Sequence, residues 1–298
     1  MTSIPPRDEA RATMERLLGE LRPKLHRYCA RMTGSVIDGE DVLQEAIVKA
    51  IEALPDAGPI AHPEGWLFRI AHNAALDFLR RRARRDALHS VEDPDMLLDP
   101  VSTMEERQAA AASLRTFMRL PVMQRSSVIL MDVLGYTLQE ICEVVNLTLP
   151  AVKAALNRGR VRLRELAQEP DDLPPPVLAE PQRSLLAAYV DRFNARDFDA
   201  IRNMLADEVR LDVVSRTQLK GKTEVGRYFG NYSQAQDWQL VAGFVDRCPA
   251  ILVRDPRDSS GLPTYFILLD WVGDRLVGIR DFRHARYVAQ DAELLMLD

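Results

Sequence analysis

The chain has 298 residues, about twice the roughly 150 residues of a typical domain, so we expect about two folded domains. Hydrophobic residues make up 47% and charged residues 28%, which excludes a wholly disordered chain, and no apolar run approaches the roughly 18 residues of a membrane span. The net charge of -5 argues against a protein that coats nucleic acid over its whole surface. Any nucleic-acid contact must therefore be local.

The cysteine pattern indicates a reducing compartment. Cys29, Cys142 and Cys248 lie far apart without a CxxC spacing, which favours neither a disulfide framework nor a zinc site. The first 20 residues carry acids where a signal peptide has an apolar centre. We therefore expect a cytoplasmic location, no metal and no cofactor.

Two amphipathic helices are predicted in the first third of the chain. Over residues 41–54 the apolar side chains fall at i, i+3, i+4 and i+7, and the opposite side carries acidic and amide groups. The second helix, over residues 63–85, buries an apolar stripe and shows cationic side chains elsewhere. The apolar stripes are Leu43, Ala46, Ile47, Ala50, Ile51 and Leu54 in the first helix, and Leu67, Ile70, Ala71, Ala74 and Phe78 in the second.

A helix-turn-helix is predicted between residues 121 and 166. A helix over 121–134 ends at Gly135, which suits a left-handed cap. Thr137 and Glu140 then form a capping box that starts a short helix, and Thr148 caps the next one. Two short helices with a three-residue turn, the second cationic, are typical of a DNA-binding helix-turn-helix. The inner stripe of the second helix is Val152, Leu156, Gly159, Leu163 and Leu166.

A proline-rich segment separates this helical part from a different pattern. Residues 168–182 hold five prolines and read as a stiff spacer. Beyond it, helices are predicted over 182–194 and 198–205, followed by strands. The two-residue Gly273-Asp274 sequence predicts a hairpin between the last two strands. We expect an α+β domain with a curved antiparallel sheet. The predicted strands cover 209–214, 238–246, 250–254, 265–272 and 275–282.

The motifs of the helical part resemble a known family. They are Gly39-Glu40-Asp41-Val42-Leu43-Gln44-Glu45, the stretch from Trp66 to Arg81, and Leu120-Pro121 followed by Gly135-Tyr136-Thr137. In this order they resemble a group IV, or extracytoplasmic function (ECF), sigma factor of bacterial RNA polymerase. Residues 183–288 resemble the SnoaL-like branch of the NTF2-like fold. The resemblance implies a multidomain protein with two all-α sigma domains, a helix bundle and a helix-turn-helix, plus an α+β NTF2-like cone.

The resemblance also implies domain boundaries. Sigma region 2 covers 10–86, an acidic linker 87–106, sigma region 4 covers 107–167, a proline-rich linker 168–182, and the regulatory cone 183–298. The acidic linker either threads the polymerase channel as a nucleic-acid mimic or serves as a solvated tether.

The partners implied are core RNA polymerase and promoter DNA. The acidic face of the first helix, Asp41, Gln44 and Glu45, corresponds to the family's polymerase-docking surface. The second helix corresponds to the reader of the start-proximal (minus-10) element, where a base is taken out of the stack and needs a pocket. Its candidate residues are Arg69, Asn73, Asp77, Arg80 and Arg81. Of the aromatic residues nearby, Trp66 and Phe68, one is expected in the core.

The second helix of the helix-turn-helix is expected to read the upstream (minus-35) element in the major groove. Arginine and asparagine can contact base edges bidentately, and lysine suits phosphates. The candidates are Thr148, Lys153, Asn157, Arg158 and Arg160.

The C-terminal domain leaves alternatives open. A possible small-molecule pocket would involve Tyr189, Tyr228, Trp238, Asp281 and His284. For Asp281 and His284 a surface or salt-bridged role is favoured, because Arg280, Arg283 and Arg286 surround them. We expect a regulatory domain that contacts the sigma core, and no catalytic residue. The alternatives are a one-component helix-turn-helix regulator whose NTF2-like domain senses a ligand, and an active enzyme in the C-terminal domain.

Overall fold

The computed structural model describes residues 7–86, 112–169, 173–235 and 237–297. The chain divides into two compact units, Met1–Asp172 and Leu173–Asp298. The expected acidic linker, 87–106, lies outside the described residues.

The first unit is helical and begins with three packed helices. They are α1 (Arg7–Thr33), α2 (Val36–Ala53) and α3 (Pro63–Asp86). Ser35 starts α2 because its hydroxyl accepts hydrogen bonds from the backbone N–H groups of Ile37 and Asp38. The apolar stripes predicted for α2 and α3 turn inward, although Ile47, Ile51, Leu54, Ile70 and Phe78 are only partly buried.

The helix-turn-helix follows in the same unit. Its helices are α4 (Leu114–Met118), α5 (Val122–Val128) with a π-helical turn (Ile129–Val133), α6 (Leu138–Val145) and α7 (Leu149–Leu166). The capping box of Thr137 and Glu140 is present, and Gly135 adopts a φ of 75° as a left-handed cap requires. Gly159 lets α7 approach α5, since a Cβ there would lie 2.7 Å from Val128. One hydrophobic cluster joins the helices of both parts.

The second unit is α+β, as expected. It begins with α8 (Gln182–Asn194) and α9 (Phe198–Met204), and continues with β1 (Leu205–Val213), β2 (Thr217–Lys220) and α10 (Lys222–Gln234). The remaining elements are β3 (Gln239–Val245), β4 (Cys248–Arg254), β5 (Pro263–Val272), β6 (Arg275–Asp281), a 3₁₀ helix (Arg286–Asp291) and β7 (Leu294–Met296).

The seven strands form one sheet in the order β2-β1-β6-β5-β4-β3-β7. The predicted hairpin joins β5 and β6, and Gly273 has a φ of 60°. The expectation of a purely antiparallel sheet is wrong at one place, because β1 pairs parallel to β6. A parallel pair needs a long crossover, and here the chain between β1 and β6 includes four antiparallel strands and α10. The elements β2, α10 and β7 were not predicted from the sequence.

Candidate polymerase and promoter interfaces

The predicted acidic face lies on α2, with Asp41 exposed and Gln44 and Glu45 half-buried. Gln44 donates a hydrogen bond of 3.0 Å to the buried carboxylate of Glu40. Glu45 is more constrained, since it accepts from Arg81 at 2.7 Å and lies 2.8 Å from the Lys49 ammonium. The hydrogen bond from Arg81 is the main reason why the pKa of Glu45 is lowered. The acidic face is therefore tied to α3.

The five residues that tie α2 to α3 form what we call the charged ladder: Glu45, Lys49, Asp77, Arg80 and Arg81. Lys49 of α2 also lies 3.6 Å from Asp77 of α3, and Asp77 accepts from Arg80 at 3.3 Å. The ladder thus contains members of both predicted surfaces, the docking face and the minus-10 reader. Lys49 was missed by the sequence analysis, although its position four residues after Glu45 is the usual spacing of a helical ion pair.

The N-terminal half of α3 borders a cavity of about 420 Å³. Trp66 and Arg69 line it together with Ile60 and His62 of the preceding loop. Arg69 and Asn73 are exposed on the same face of α3. Phe68 is fully buried, so of the two aromatic residues it is the one in the core, and Trp66 is the one at the cavity.

The helix-turn-helix presents part of the predicted minus-35 set. Thr148 and Lys153 are exposed, and Asn157 and Arg158 are half-buried. Thr148 occupies the N-cap position of α7, but its side chain makes no capping hydrogen bond. The hydroxyl is thus not used for the cap that the sequence analysis expected.

Arg160 does not fit the role predicted for it in the minus-35 set. Only 7% of it is exposed, and its guanidinium donates two hydrogen bonds to the carboxylate of Asp132 on the π-helical turn. A buried bidentate pair of this kind cannot present its cation to a base without leaving the opposite charge uncompensated. Arg160 therefore stabilises the packing of α7 and is removed from the base-reading candidates.

The predicted C-terminal pocket is also changed by the structure. Tyr228 and Asp281 lie together, with the tyrosine hydroxyl donating to Asp281 at 3.0 Å. Tyr189 and Trp238 pack in an aromatic cluster around Phe193, and His284 is exposed. The structure therefore does not gather the five predicted residues around one group.

Asp281 does not lie at the surface, so the surface role expected for it is wrong, whereas His284 is exposed. Asp281 is only 1% exposed, and Tyr232 donates a hydrogen bond of 2.5 Å to its carboxylate. Burial raises the pKa of Asp281, against the lowering effect of the hydrogen bonds from Tyr232, the Arg283 backbone and Tyr228. Tyr232 was missed because α10 was not predicted. Its spacing of four residues from Tyr228 was the available signal.

Comparisons with known proteins agree with this architecture. Residues 17–85 match the family Sigma-70 region 2, and residues 114–163 match Sigma-70, region 4. The ECF RNA polymerase sigma factor SigM of Mycobacterium tuberculosis is 31% identical over 156 residues, covering 52% of this chain and 78% of SigM. The chain belongs to the ECF RNA polymerase sigma factor family. It is a transcription factor that directs initiation by RNA polymerase, and a one-component regulator is not favoured.

The alignment with a longer relative extends beyond the first unit. SigG of Mycobacterium tuberculosis is 27% identical over 278 residues and covers 85% of this chain, with 71% of its own length aligned. That share of the 298 residues exceeds the first unit, which ends at Asp172. The crystal structure of Mycobacterium tuberculosis SigJ covers 88% of the sigma factor and 93% of SigJ at 18% identity, with a TM-score of 0.34. Within the described ranges, the sigma factor has no helix long and apolar enough to cross a membrane.

Proposed function

We propose that the sigma factor docks on core RNA polymerase through Asp41, Gln44 and Glu45 of α2. The observation that carries this proposal is the position of these side chains on a helix face whose opposite side is fixed in the core. Val42, Leu43 and Ala46 are buried, so α2 cannot rotate to hide its acidic face. The basic surface of a polymerase subunit would meet a rigid row of acceptors, which favours fast and specific association.

The minus-10 reader of this proposal is the exposed face of α3. Arg69, Arg80 and Arg81 provide cations for a single strand, and the cavity beside Trp66 is large enough for an unstacked base. Asn73 has both donor and acceptor groups for reading a base edge. Asp77 acts within the charged ladder, where it positions Arg80.

The minus-35 reader is the N-terminal half of α7. Thr148 and Lys153 suit phosphate contacts, and Asn157 and Arg158 lie one turn further along, where a helix in the major groove meets base edges. The contribution of each base contact is small, about 1–3 kcal/mol of discrimination. Tight binding therefore depends on polymerase holding the sigma factor near the DNA.

The second unit, in this proposal, is a regulatory domain that tunes the sigma core and does not act as an enzyme. Its buried Asp281 is engaged by two tyrosine hydroxyls and a backbone N–H, which describes a structural network and not an accessible general base. We expect this domain to contact the sigma core. A small-molecule ligand is a further expectation, for which Tyr228 is the half-buried candidate.

The docking proposal is tested by titrating the labelled full-length protein into core RNA polymerase. Asp41→Lys should weaken binding at least tenfold, because it places a cation against a basic surface. Glu165→Lys is the matched control, since Glu165 is an exposed acid on α7 outside the proposed interfaces. Equal loss in both variants would show a general charge effect and contradict docking through α2.

A truncated chain tests the regulatory role of the second unit. Polymerase binding by the full chain is compared with binding by a chain that ends at Glu169, which keeps the complete hydrophobic cluster of the first unit. The difference in affinity gives the sign of the regulatory effect.

A further inference from the structure

The parallel pairing of β1 and β6 brings two loops of the second unit together. Val213, the last residue of β1, is paired with Asp281, the last residue of β6, so the turn after β1 and the segment after β6 leave the sheet at the same edge. The backbone N–H of Val214 donates a hydrogen bond of 3.0 Å to the carbonyl of Asp281. The hydroxyls of Ser215 and Tyr287 lie 3.4 Å apart. The two loops therefore form one surface.

This surface carries four basic side chains, which we call the arginine cluster: Arg216, Arg283, His284 and Arg286. Arg283 is half-buried and the other three are exposed. The guanidinium of Arg283 lies 5.0 Å from the centre of the Tyr232 ring, and that of Arg286 lies 5.7 Å from the centre of the Tyr265 ring. The two tyrosine hydroxyls are 3.5 Å apart, so both guanidinia pack on one aromatic pair.

Carboxylates neutralise only part of the positive charge of the arginine cluster. Arg283 is paired with Asp237 at 3.2 Å. Among the residues that the structure describes, neither Arg216 nor Arg286 forms an ion pair. Their charges therefore repel each other and that of Arg283, and nothing on this surface compensates the repulsion.

His284 is affected by the cations of both loops. Its pKa is lowered, first because the protein removes solvent from the imidazole and then because Arg216 adds a nearby positive charge. Arg283 and Arg286 act in the same direction, whereas Asp281 raises the pKa of His284. The four side chains of the cluster are thus close enough to interact electrically.

The groups of the arginine cluster are those that bind an oxyanion. Guanidinium forks donate two parallel hydrogen bonds to the oxygens of a carboxylate or a phosphate, and the Ser215 hydroxyl beside them is a further donor. Two unpaired guanidinia suit an anion with two negative charges. A nucleic acid fits this surface less well, because acidic residues outnumber basic ones in residues 173–298 and the cluster is confined to two loops.

We propose that the arginine cluster binds a small oxyanion with two negative charges, of the phosphate-monoester type, between Arg216 and Arg286. Of the residues predicted for a C-terminal pocket, this site includes only His284. The site belongs to the second unit alone and goes beyond the proposed regulatory role, since it assigns the chemical class of a ligand to which that unit responds.

Titration of the free full-length protein with phenyl phosphate tests the site. Arginine side-chain NMR signals are followed at constant ionic strength and about pH 8, where the second pKa of a phosphate monoester, about 6, leaves it dianionic. Arg216→Gln with Arg286→Gln should weaken binding at least tenfold, and acetate should bind the wild type at least tenfold more weakly than phenyl phosphate. The matched control is Arg192→Gln with Arg257→Gln, which removes the same charge from exposed positions of α8 and the β4–β5 loop and should leave binding unchanged.

Three results of this titration would overturn the proposal. They are the absence of saturable binding by the wild type, an equal loss in both double variants, and displacement of phenyl phosphate by a DNA duplex, which would show a nucleic-acid surface. Neither polymerase nor promoter is present, so none of these results bears on the proposed docking and promoter-reading surfaces.

The imidazole of His284 provides a second readout, which locates the bound anion. Its NMR signals are assigned with His284→Gln and titrated with pH, with and without phenyl phosphate. A bound dianion should raise the pKa of His284, because it offsets the positive charge of Arg216, Arg283 and Arg286. Arg216→Gln with Arg286→Gln should abolish this rise. If the wild type bound phenyl phosphate without any change in the pKa of His284, the anion would lie elsewhere and the assignment would be wrong.

Discussion

Arg160 and Asp132 form a buried, bidentate ion pair that joins α7 to the π-helical turn. Breaking a buried pair leaves one charge without compensation, which costs about 3–5 kcal/mol. We therefore expect Asp132→Ala to lower the free energy of unfolding of the first unit by that amount, measured by urea denaturation. Replacing both residues by apolar side chains, as in Asp132→Leu with Arg160→Met, should cost much less. A double variant as unstable as Asp132→Ala would show that the pair is not the cause.

The ion pair between Glu45 and Arg81 leads to a prediction about coupling. Both side chains are partly exposed, so the pair contributes only about 0–1 kcal/mol to stability. The exchanged variant, Glu45→Arg with Arg81→Glu, should restore only part of the stability lost in either single variant, because the new arginine at position 45 faces Lys49. It should still bind polymerase and minus-10 DNA poorly, because each surface then carries the wrong charge. Thermal denaturation and polymerase titration of the four proteins separate the two effects, and full activity of the exchanged variant would contradict both assigned surfaces.

Substitutions on α7 should cause two kinds of defect in promoter binding. Lys153→Ala should weaken promoter binding by the holoenzyme equally on all sequences and reduce the salt slope by about 1, as expected for one lost phosphate contact. Asn157→Ala should instead reduce discrimination between the native and an altered minus-35 element by about 1–3 kcal/mol. Binding measured at several salt concentrations on both promoters distinguishes them. If both variants lost discrimination equally, the division between phosphate and base contacts would be wrong.

Tyr232 and Tyr228 donate to the same oxygen of Asp281, which makes them a matched pair. Tyr232→Phe should destabilise the second unit by about 1–3 kcal/mol at pH 7, because it removes a partner from a buried carboxylate. Tyr228→Phe should cost less, since its hydrogen bond is longer and the side chain is half-buried.

The same site has a defined pH dependence. Because burial raises the pKa of Asp281, its contribution to stability is fully present below the unfolded pKa of about 3.9 and is lost as the pH rises through the folded value. Asp281→Asn should therefore flatten the pH dependence of unfolding in the range just above pH 4, measured by urea denaturation of the full chain. An unchanged profile would show that Asp281 is not a source of that dependence.

The helix-turn-helix could be predicted from the sequence because the residues that indicate it lie close together along the chain. The capping box at Thr137 and the cap at Gly135 act within four residues, and the inner stripe of α7 follows the helical period. The burial of Arg160 could not be predicted from the sequence, since its partner Asp132 lies 28 residues earlier. A polar stripe at helical spacing does not reveal which of its members meets a partner from another element.

In the second unit, too, strands and helices with weak local patterns could not be predicted from the sequence. Strands with a run of consecutive apolar residues, such as β4, were found, whereas β2 has only four residues. The helix α10 has glycines at 226 and 230, which weaken its helical signal, although Val225, Phe229 and Tyr232 face the core. The parallel register of β1 on β6 depends on pairing between strands more than 60 residues apart along the chain, which no local pattern contains.

That pairing can form only late in the synthesis of the sigma factor. The first unit ends at Asp172, but β1 gains its neighbour only when residues 275–281 have left the ribosome. Domains fold during synthesis in order from the N-terminus, and the chain is synthesised at about 5–20 residues per second. For several seconds of each round of translation, the sigma core exists as a finished unit beside an unfinished second one. A nascent chain therefore carries the whole first unit before the sheet of the second unit can be completed.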